Sequence, residues 1–122
     1  DWPFYGELVG AWFHKHPPGL QTAKVTLHGG GHEGRQWSIT DEIYNYRRNL
    51  RPWVQVLATA DEASYPGGTM GADHPITWCR PMGRGRSWYT GFGHDAAAYA
   101  DPQVRALLRR GLAYAARTSP HC

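Results

Sequence analysis

A chain of 122 residues and 13.7 kDa can form one small domain that buries roughly two thirds of its unfolded surface, but it is too short for two domains. Its 41% hydrophobic and 19% charged residues are typical of a globular domain and exclude an intrinsically disordered chain. No apolar run approaches the ~18 residues of a bilayer span, and a net charge of +3 is a weak argument for nucleic-acid binding, so neither membrane nor nucleic acid is expected as a partner.

The first half of the chain predicts a helix, a strand and a second, short helix. Apolar side chains recur at helical spacing from Pro3 to His16, and the following Pro-Pro-Gly stops the pattern. Residues Ala23 to His28 alternate as in a strand, before a Gly-rich loop that extends to about Ser38. The segment from Thr40 to Arg48 carries acids early and arginines late, which favours a short helix.

The second half predicts three strands and a terminal helix. Trp53 to Ala60 is almost continuously apolar, as in a central strand covered on both faces. After a polar loop from Asp61 to Asp73, residues Ile76 to Met82 and Arg86 to Phe92 predict a hairpin joined by residues 81–85. Asp101 before Pro102 is a typical helix start, and the apolar stripe behind it extends to about Arg117.

These elements predict one α/β domain over residues 1–122, with antiparallel pairing at the hairpin. The helices are too few to cover both faces of a sheet that contains the apolar strand 53–60. We therefore expect either a partner for the uncovered face or a missing segment.

Aromatic residues and cysteines add two further expectations. Six Trp, seven Tyr and three Phe are unusually many for this length, and they suit a core that also faces a polar ligand such as a sugar. The two cysteines, Cys79 and Cys122, form no CxxC pair, which leaves neither a zinc motif nor a dense disulfide framework. One disulfide remains an option and would require an oxidising compartment.

Three short motifs could carry chemistry. In Asp41-Glu42-Ile43-Tyr44, the carboxylates could act as a general acid or base, with the Tyr44 phenol as a hydrogen-bond donor. The alternative is that they are solvated residues at the start of a helix. In Asp73-His74-Pro75, the alternative to a functional role is an ordinary turn. Gly93-His94 directly follows a predicted strand, and ligands of open α/β sheets bind beyond the carboxyl ends of strands, so His94 is the best single candidate.

A fourth motif, His28-Gly29-Gly30-Gly31-His32, is similar to the oxyanion loop of α/β-hydrolases. That function also needs a G-x-S-x-G nucleophile elbow, which the sequence lacks. Two histidines separated by three glycines are also not held on one helix face as metal ligands. We interpret the motif as a flexible loop without a functional role.

The residues of these motifs and their order along the chain resemble the sequences of a known family. TDEIYNYR, VLATAD, GGTMGADHPITWCRPMGRGRSWYTGFGHD and YADPQVRALLRRGLAYAA closely resemble the ThuA-like (trehalose-utilisation) family, within the class I glutamine-amidotransferase-like superfamily. The resemblance also includes DWPFYGELVGAWFHKHP and so covers nearly the entire chain.

The resemblance implies a flavodoxin-like three-layer α/β sandwich and a role in disaccharide catabolism, with 3-keto-glycosides as candidate intermediates. Family members normally carry about a hundred further residues upstream, so the chain resembles the C-terminal half of such a domain. The superfamily's amidotransferase cysteine lies at a strand-to-helix elbow, whereas Cys79 lies inside a predicted strand. Glutamine hydrolysis is therefore not expected.

When the family's site residues are transferred to the matching motifs of this sequence, the resemblance implies two groups of site residues. The catalytic candidates are His94, Glu42 and Asp41, and the substrate-binding candidates are Tyr44, Asp73, His74 and Gly93. The carboxylates and imidazoles among them are also suitable ligands for a divalent metal, which is left open as a cofactor.

Three functions stay open at this point: a sugar-processing enzyme of hydrolase or lyase type, a non-catalytic carbohydrate-binding module, and an interaction module. The expected partners are a small sugar and either the upstream half of the domain or other carbohydrate-acting modules, and a homo-oligomer is an alternative. The sequence motifs are also similar to those of secreted multidomain proteins of actinobacteria. This similarity favours an extracellular location over the cytoplasm.

Overall fold

A computed structural model describes residues 2–122 of the chain. Its helices and strands are α1 (Pro3–Val9), β1 (Phe13–Lys15), β2 (Gln21–Leu27), β3 (Gln36–Asp41), β4 (Asn45–Tyr46), β5 (Gln55–Asp61), β6 (His74–Met82), β7 (Gly85–Thr90) and α2 (Pro102–Ala115). Single 3-10 turns occupy Arg51–Trp53, Glu62–Ser64 and Ala96–Ala100. None of the helices in this described part is long and apolar enough to cross a bilayer.

Five strands form the main sheet in the order β3-β2-β5-β6-β7, and β1 pairs separately with β4. The predicted central strand is confirmed, because β5 lies in the middle of the five. Every strand pair in residues 2–122 is antiparallel. The predicted hairpin is also confirmed, although Met82 pairs with Gly85, so its turn is shorter than the five residues expected.

The predicted helix from Pro3 to His16 is correct only in its first half. Helix α1 ends at Val9 because Gly10 adopts a left-handed conformation (φ 84°) and its N–H bonds back to the carbonyl of Gly6. The chain then extends, and Phe13 pairs with Tyr46. The helical spacing of the later apolar residues therefore does not produce a helix.

The predicted short helix from Thr40 to Arg48 is wrong. Thr40 belongs to β3 and pairs with Thr22 across a ladder of six residue pairs, and the chain next forms the two-residue strand β4. The local pattern of early acids and late arginines is outweighed by this non-local pairing, which satisfies the backbone groups of Thr40 and Asp41.

The β6–β7 pair is covered on both faces. On one face, Trp78 stacks on Tyr89 at 4.4 Å between ring centroids, and the Trp78 indole N–H donates to the carbonyl of Val9 at the end of α1. On the other, Trp88 packs against α2 at Gly111, where no side chain would fit. The central strand β5 is buried at three successive positions, Val56, Leu57 and Ala58, and hence on both faces, so it does not show the bare face that was expected.

A mixed helix and strand domain is thus confirmed. The flavodoxin-like three-layer sandwich and the missing upstream segment stay predictions.

The terminal helix follows its prediction closely. Oδ1 of Asp101 accepts hydrogen bonds from the N–H groups of Gln103 and Val104, and Pro102 occupies the first helical position. The stripe facing the sheet includes Val104, Leu107 and Tyr114, all of which are buried. The expected N-terminus of this helix is confirmed, and its C-terminus lies two residues before Arg117.

A disulfide joins Cys79 in β6 to Cys122, across 43 residues of sequence. The sulfurs lie in a small buried cluster with Leu57 and Tyr114. The Arg110 guanidinium also donates to the carbonyl of Cys122 at 2.6 Å. The C-terminal segment is therefore fixed against β6 and α2.

Candidate functional site

Glu42 and His94 form the centre of the candidate site. Oε2 of Glu42 lies 3.1 Å from Nδ1 of His94, and Oε1 lies 3.7 Å from Nδ1 of His16. The Glu42 side chain is only 13% exposed, whereas that of His94 is 50% exposed. A nearly buried carboxylate thus contacts an imidazole that is open to solvent, an arrangement suited to proton transfer.

Asp41 holds this site together. Its fully buried carboxylate accepts three backbone hydrogen bonds: at Oδ2 from Gly93 (2.6 Å), and at Oδ1 from Asp95 (3.0 Å) and Glu42 (2.9 Å). Such charge-assisted bonds are roughly twice as strong as neutral ones. Asp41 therefore positions the backbone on both sides of His94 and is itself shielded from solvent.

The two edge strands of the sheet meet at this point. Asp41 ends β3 and Gly93 follows β7, although these strands lie at opposite edges of the five-stranded order. The rings of Trp37 and Phe92 also approach to 6.0 Å between the same two regions. The sheet is therefore curled, and this curling brings Glu42 to His94. The sequence had predicted a site at the carboxyl ends of the strands of an open α/β sheet.

Gly93 is required by the local backbone and by a neighbouring ring. Its φ of 112° is one that side-chain-bearing residues rarely adopt. A Cβ at this position would also lie 2.6 Å from the hydroxyl oxygen of Tyr99. The predicted Gly-His pair thus presents His94 on a turn that only glycine allows, with the Tyr99 phenol beside it.

Tyr44 borders Glu42 through an aromatic cluster. Its ring lies 5.0 Å from that of Phe13, edge to face, and 5.8 Å from that of His16. Burial raises the pKa of the Tyr44 phenol above its ordinary value, and the negative charges of Glu42 and Asp41 raise it further. The phenol is therefore protonated at neutral pH and can donate a hydrogen bond.

His74 lies behind the site. The ring is fully buried, Nε2 donates to the carbonyl of Tyr44 at 2.8 Å, and Nδ1 is 2.9 Å from the hydroxyl of Tyr65. Burial and the nearby carboxylates raise the pKa of the Tyr65 phenol, so this hydroxyl stays protonated, and Oε1 of Glu62 lies 2.9 Å from the same Nδ1. His74 therefore supports the backbone of Tyr44 and has no exposed atom for a substrate.

Asp73 is engaged elsewhere. Arg51 donates two hydrogen bonds to its carboxylate at 2.7 and 2.8 Å, and Asn49 donates a third at 2.8 Å. The Arg51 guanidinium holds the pKa of the Asp73 carboxyl below its ordinary value. These contacts anchor the turn that follows β4, and they do not include Glu42 or His94.

Sequence reasoning missed three residues of this neighbourhood: Phe13, His16 and Tyr99. His16 and Phe13 were assigned to a helix. Neither their spacing nor a motif indicated that they lie near Glu42. The signal that could have revealed His16 is the Pro17-Pro18 pair directly after it, because a residue before proline favours an extended conformation. Among residues 2–122, no group of three or more His, Cys, Asp and Glu side chains is arranged to hold a metal ion.

Burial of His74 predicts a pH-dependent stability. Burial lowers the pKa of this ring below its ordinary 6.5, although the carboxylate of Glu62, 2.9 Å from Nδ1, opposes the effect. Above pH 6.5 the His74 ring is neutral in both the folded and the unfolded chain. Below pH 6.5 the unfolded chain binds the proton first, so the free energy of unfolding decreases as the pH falls. We expect a decrease of up to about 1.4 kcal/mol per pH unit between pH 6.5 and the lower folded pKa.

Thermal unfolding of the wild type and of His74→Gln between pH 5 and 8 measures this effect. The amide can still donate to the carbonyl of Tyr44, but it does not titrate, so the variant should show a flatter profile. His14→Gln, at an exposed position in β1, is the matched control and should keep the wild-type slope. Equal slopes in the wild type and His74→Gln would contradict the assignment.

Comparison with known proteins supplies a family and a fold. The family model for trehalose utilisation, ThuA, matches residues 1–115. A crystal structure of a ThuA-like protein from Bacteroides uniformis superposes with a TM-score of 0.74 at 20% sequence identity, covering 94% of this chain and 51% of that one. At this identity the likeness shows the fold alone, and the chain spans about half the length of that protein. Among curated proteins, none matches the chain.

Proposed function

Since the chain belongs to the ThuA family of trehalose utilisation, we propose that Glu42 and His94 form the acid–base pair of a sugar-processing site. The observation that carries the proposal is the 3.1 Å contact between a nearly buried carboxylate and a half-exposed imidazole. The membership itself supports a role in carbohydrate utilisation in general. The reaction and the substrate are our proposal.

The geometry divides the work between the two side chains. Oε2 of Glu42 lies 3.1 Å from Nδ1 of His94, so in the proposed role the carboxylate favours the proton at Nδ1 and leaves Nε2 of the half-exposed ring to take or give a proton. The protonated phenol of Tyr44 adds a donor on the other side of the carboxylate. Asp41 and Gly93 keep His94 in place through the backbone.

A disaccharide of the trehalose class, or its 3-keto-glycoside, is the substrate we propose. A keto group at C3 acidifies the C–H bond at C2, and Nε2 of His94 would take that proton while the bond between C1 and the leaving oxygen breaks. The leaving oxygen then receives a proton from the His94 imidazolium or the Tyr44 phenol. This elimination is balanced without an added oxidant, and subsequent addition of water gives the outcome of a hydrolysis.

A non-catalytic carbohydrate-binding module is the second candidate. It is favoured by aromatic side chains that remain exposed, with Trp2 at 66%, Tyr5 at 54% and Phe13 at 49%, and Phe13 among them lies against Tyr44 beside the site. Such rings are stacking surfaces that bind sugars without chemistry. In that case, sugar affinity should survive Glu42→Gln and His94→Ala, and no product should form.

The proposal is tested by incubating the protein with trehalose and with 3-keto-trehalose. Released glucose and keto-sugar are followed by chromatography, and binding is followed by calorimetry. We expect conversion of at least the keto-sugar. The same incubation in buffer containing EDTA is the control for metal dependence. Binding without conversion would favour the module, and the absence of both would contradict a role of this site in sugar processing.

A further inference from the structure

A groove of about 510 Å³ lies beside α1, within the range of about 300–1,000 Å³ that is typical of small-molecule sites. We call it the α1 groove. Four aromatic side chains, one acid and one base are among the residues that line it: Trp2, Tyr5, Glu7, Trp12, Phe13 and Arg47. None of these residues was assigned a function from the sequence.

The α1 groove reaches the candidate site through Phe13. This ring lines the groove, and it also lies 5.0 Å from the ring of Tyr44 and 6.0 Å from that of His16. Both of those residues border Glu42. A ligand with two rings could therefore place one at Glu42 and the other in the groove.

The floor of the groove depends on close packing. The indole of Trp12 lies against the backbone of Gly6, where a Cβ would collide with it. On its other side, the Arg48 guanidinium lies 5.4 Å from the ring centroid. At the groove edge, the ring of Trp2 is stacked nearly parallel to that of Tyr5 at 6.0 Å. Flat ring faces are thus held in position.

We propose that the α1 groove binds the second sugar ring of a disaccharide whose first ring lies at Glu42 and His94. This inference depends on the proposed function. Aromatic faces suit the apolar C–H face of a sugar ring, while Glu7 and Arg47 can bond to hydroxyl groups at its edge. These two charges cancel, so the lining favours a neutral, hydroxyl-rich ligand over an acidic or basic peptide.

The experiment compares trehalose with glucose as calorimetric probes of the wild type, Tyr5→Ala and Phe4→Ala. Tyr5 lines the groove, whereas Phe4 is similarly exposed on the same helix but does not line it. The wild type should bind trehalose more tightly than glucose. Tyr5→Ala should weaken trehalose binding about tenfold and leave glucose binding within about twofold, and Phe4→Ala should change neither.

Four results would overturn the inference. Unchanged trehalose affinity in Tyr5→Ala, or an equal loss in Phe4→Ala, rejects the groove while leaving the site at Glu42 intact. A wild-type dimer in sedimentation that Tyr5→Ala converts to a monomer would identify a second copy of the chain as the occupant instead. Failure of both trehalose and glucose to bind the wild type rejects the groove, whereas the proposed function is decided separately by the conversion of 3-keto-trehalose.

Discussion

Replacing His94 with alanine is expected to lower turnover of the keto-disaccharide by about 10²- to 10⁴-fold, because the group that exchanges the proton is removed. The side chain is half-exposed and its main contact is Glu42, so the fold should tolerate the change. Initial rates measured at saturating substrate, together with the melting temperature, separate a catalytic loss from a loss of structure.

His14→Ala is the matched control for this experiment, since it removes an exposed histidine of β1. We expect its turnover and melting temperature to equal those of the wild type. His94→Ala with wild-type turnover would eliminate the acid–base assignment. A loss of turnover accompanied by a large drop in melting temperature would instead assign His94 a structural role.

Replacing Cys122 with serine is expected to lower the free energy of unfolding by up to about 4 kcal/mol. The disulfide to Cys79 closes a loop with a sequence separation of 43, and loop-closure entropy of that length corresponds to about this value. The variant also leaves a buried thiol at Cys79 beside Leu57 and Tyr114. Urea unfolding followed by tryptophan fluorescence measures the difference.

The wild type in a thiol reductant serves as the comparison for Cys122→Ser. Reduction should bring its unfolding midpoint to that of the variant, and the variant itself should not respond to the reductant. If oxidised wild type and variant unfold at the same urea concentration, then the disulfide does not stabilise the folded chain.

The amino-acid sequence predicted those elements whose signals are local. The cap formed by Asp101 and Pro102 predicted the start of α2, and the apolar run near Trp53 predicted the central strand. In these segments, the local propensity and the tertiary environment favour the same conformation. The motifs that resemble the ThuA family likewise contained Glu42 and His94, the two residues at the centre of the candidate site.

Only the tertiary structure decided how these residues meet. The segment that begins at Thr40 follows its strand partner in β2 rather than its helical charge pattern, and this pairing buries Asp41 where it can bond to Gly93. His16 joins Glu42 because the chain extends after Gly10. Contacts of this kind link residues that are distant in sequence, and short-range periodicity contains no information about them. The sequence by itself thus determined which side chains are available for chemistry, and the curled sheet determined which of them lie together.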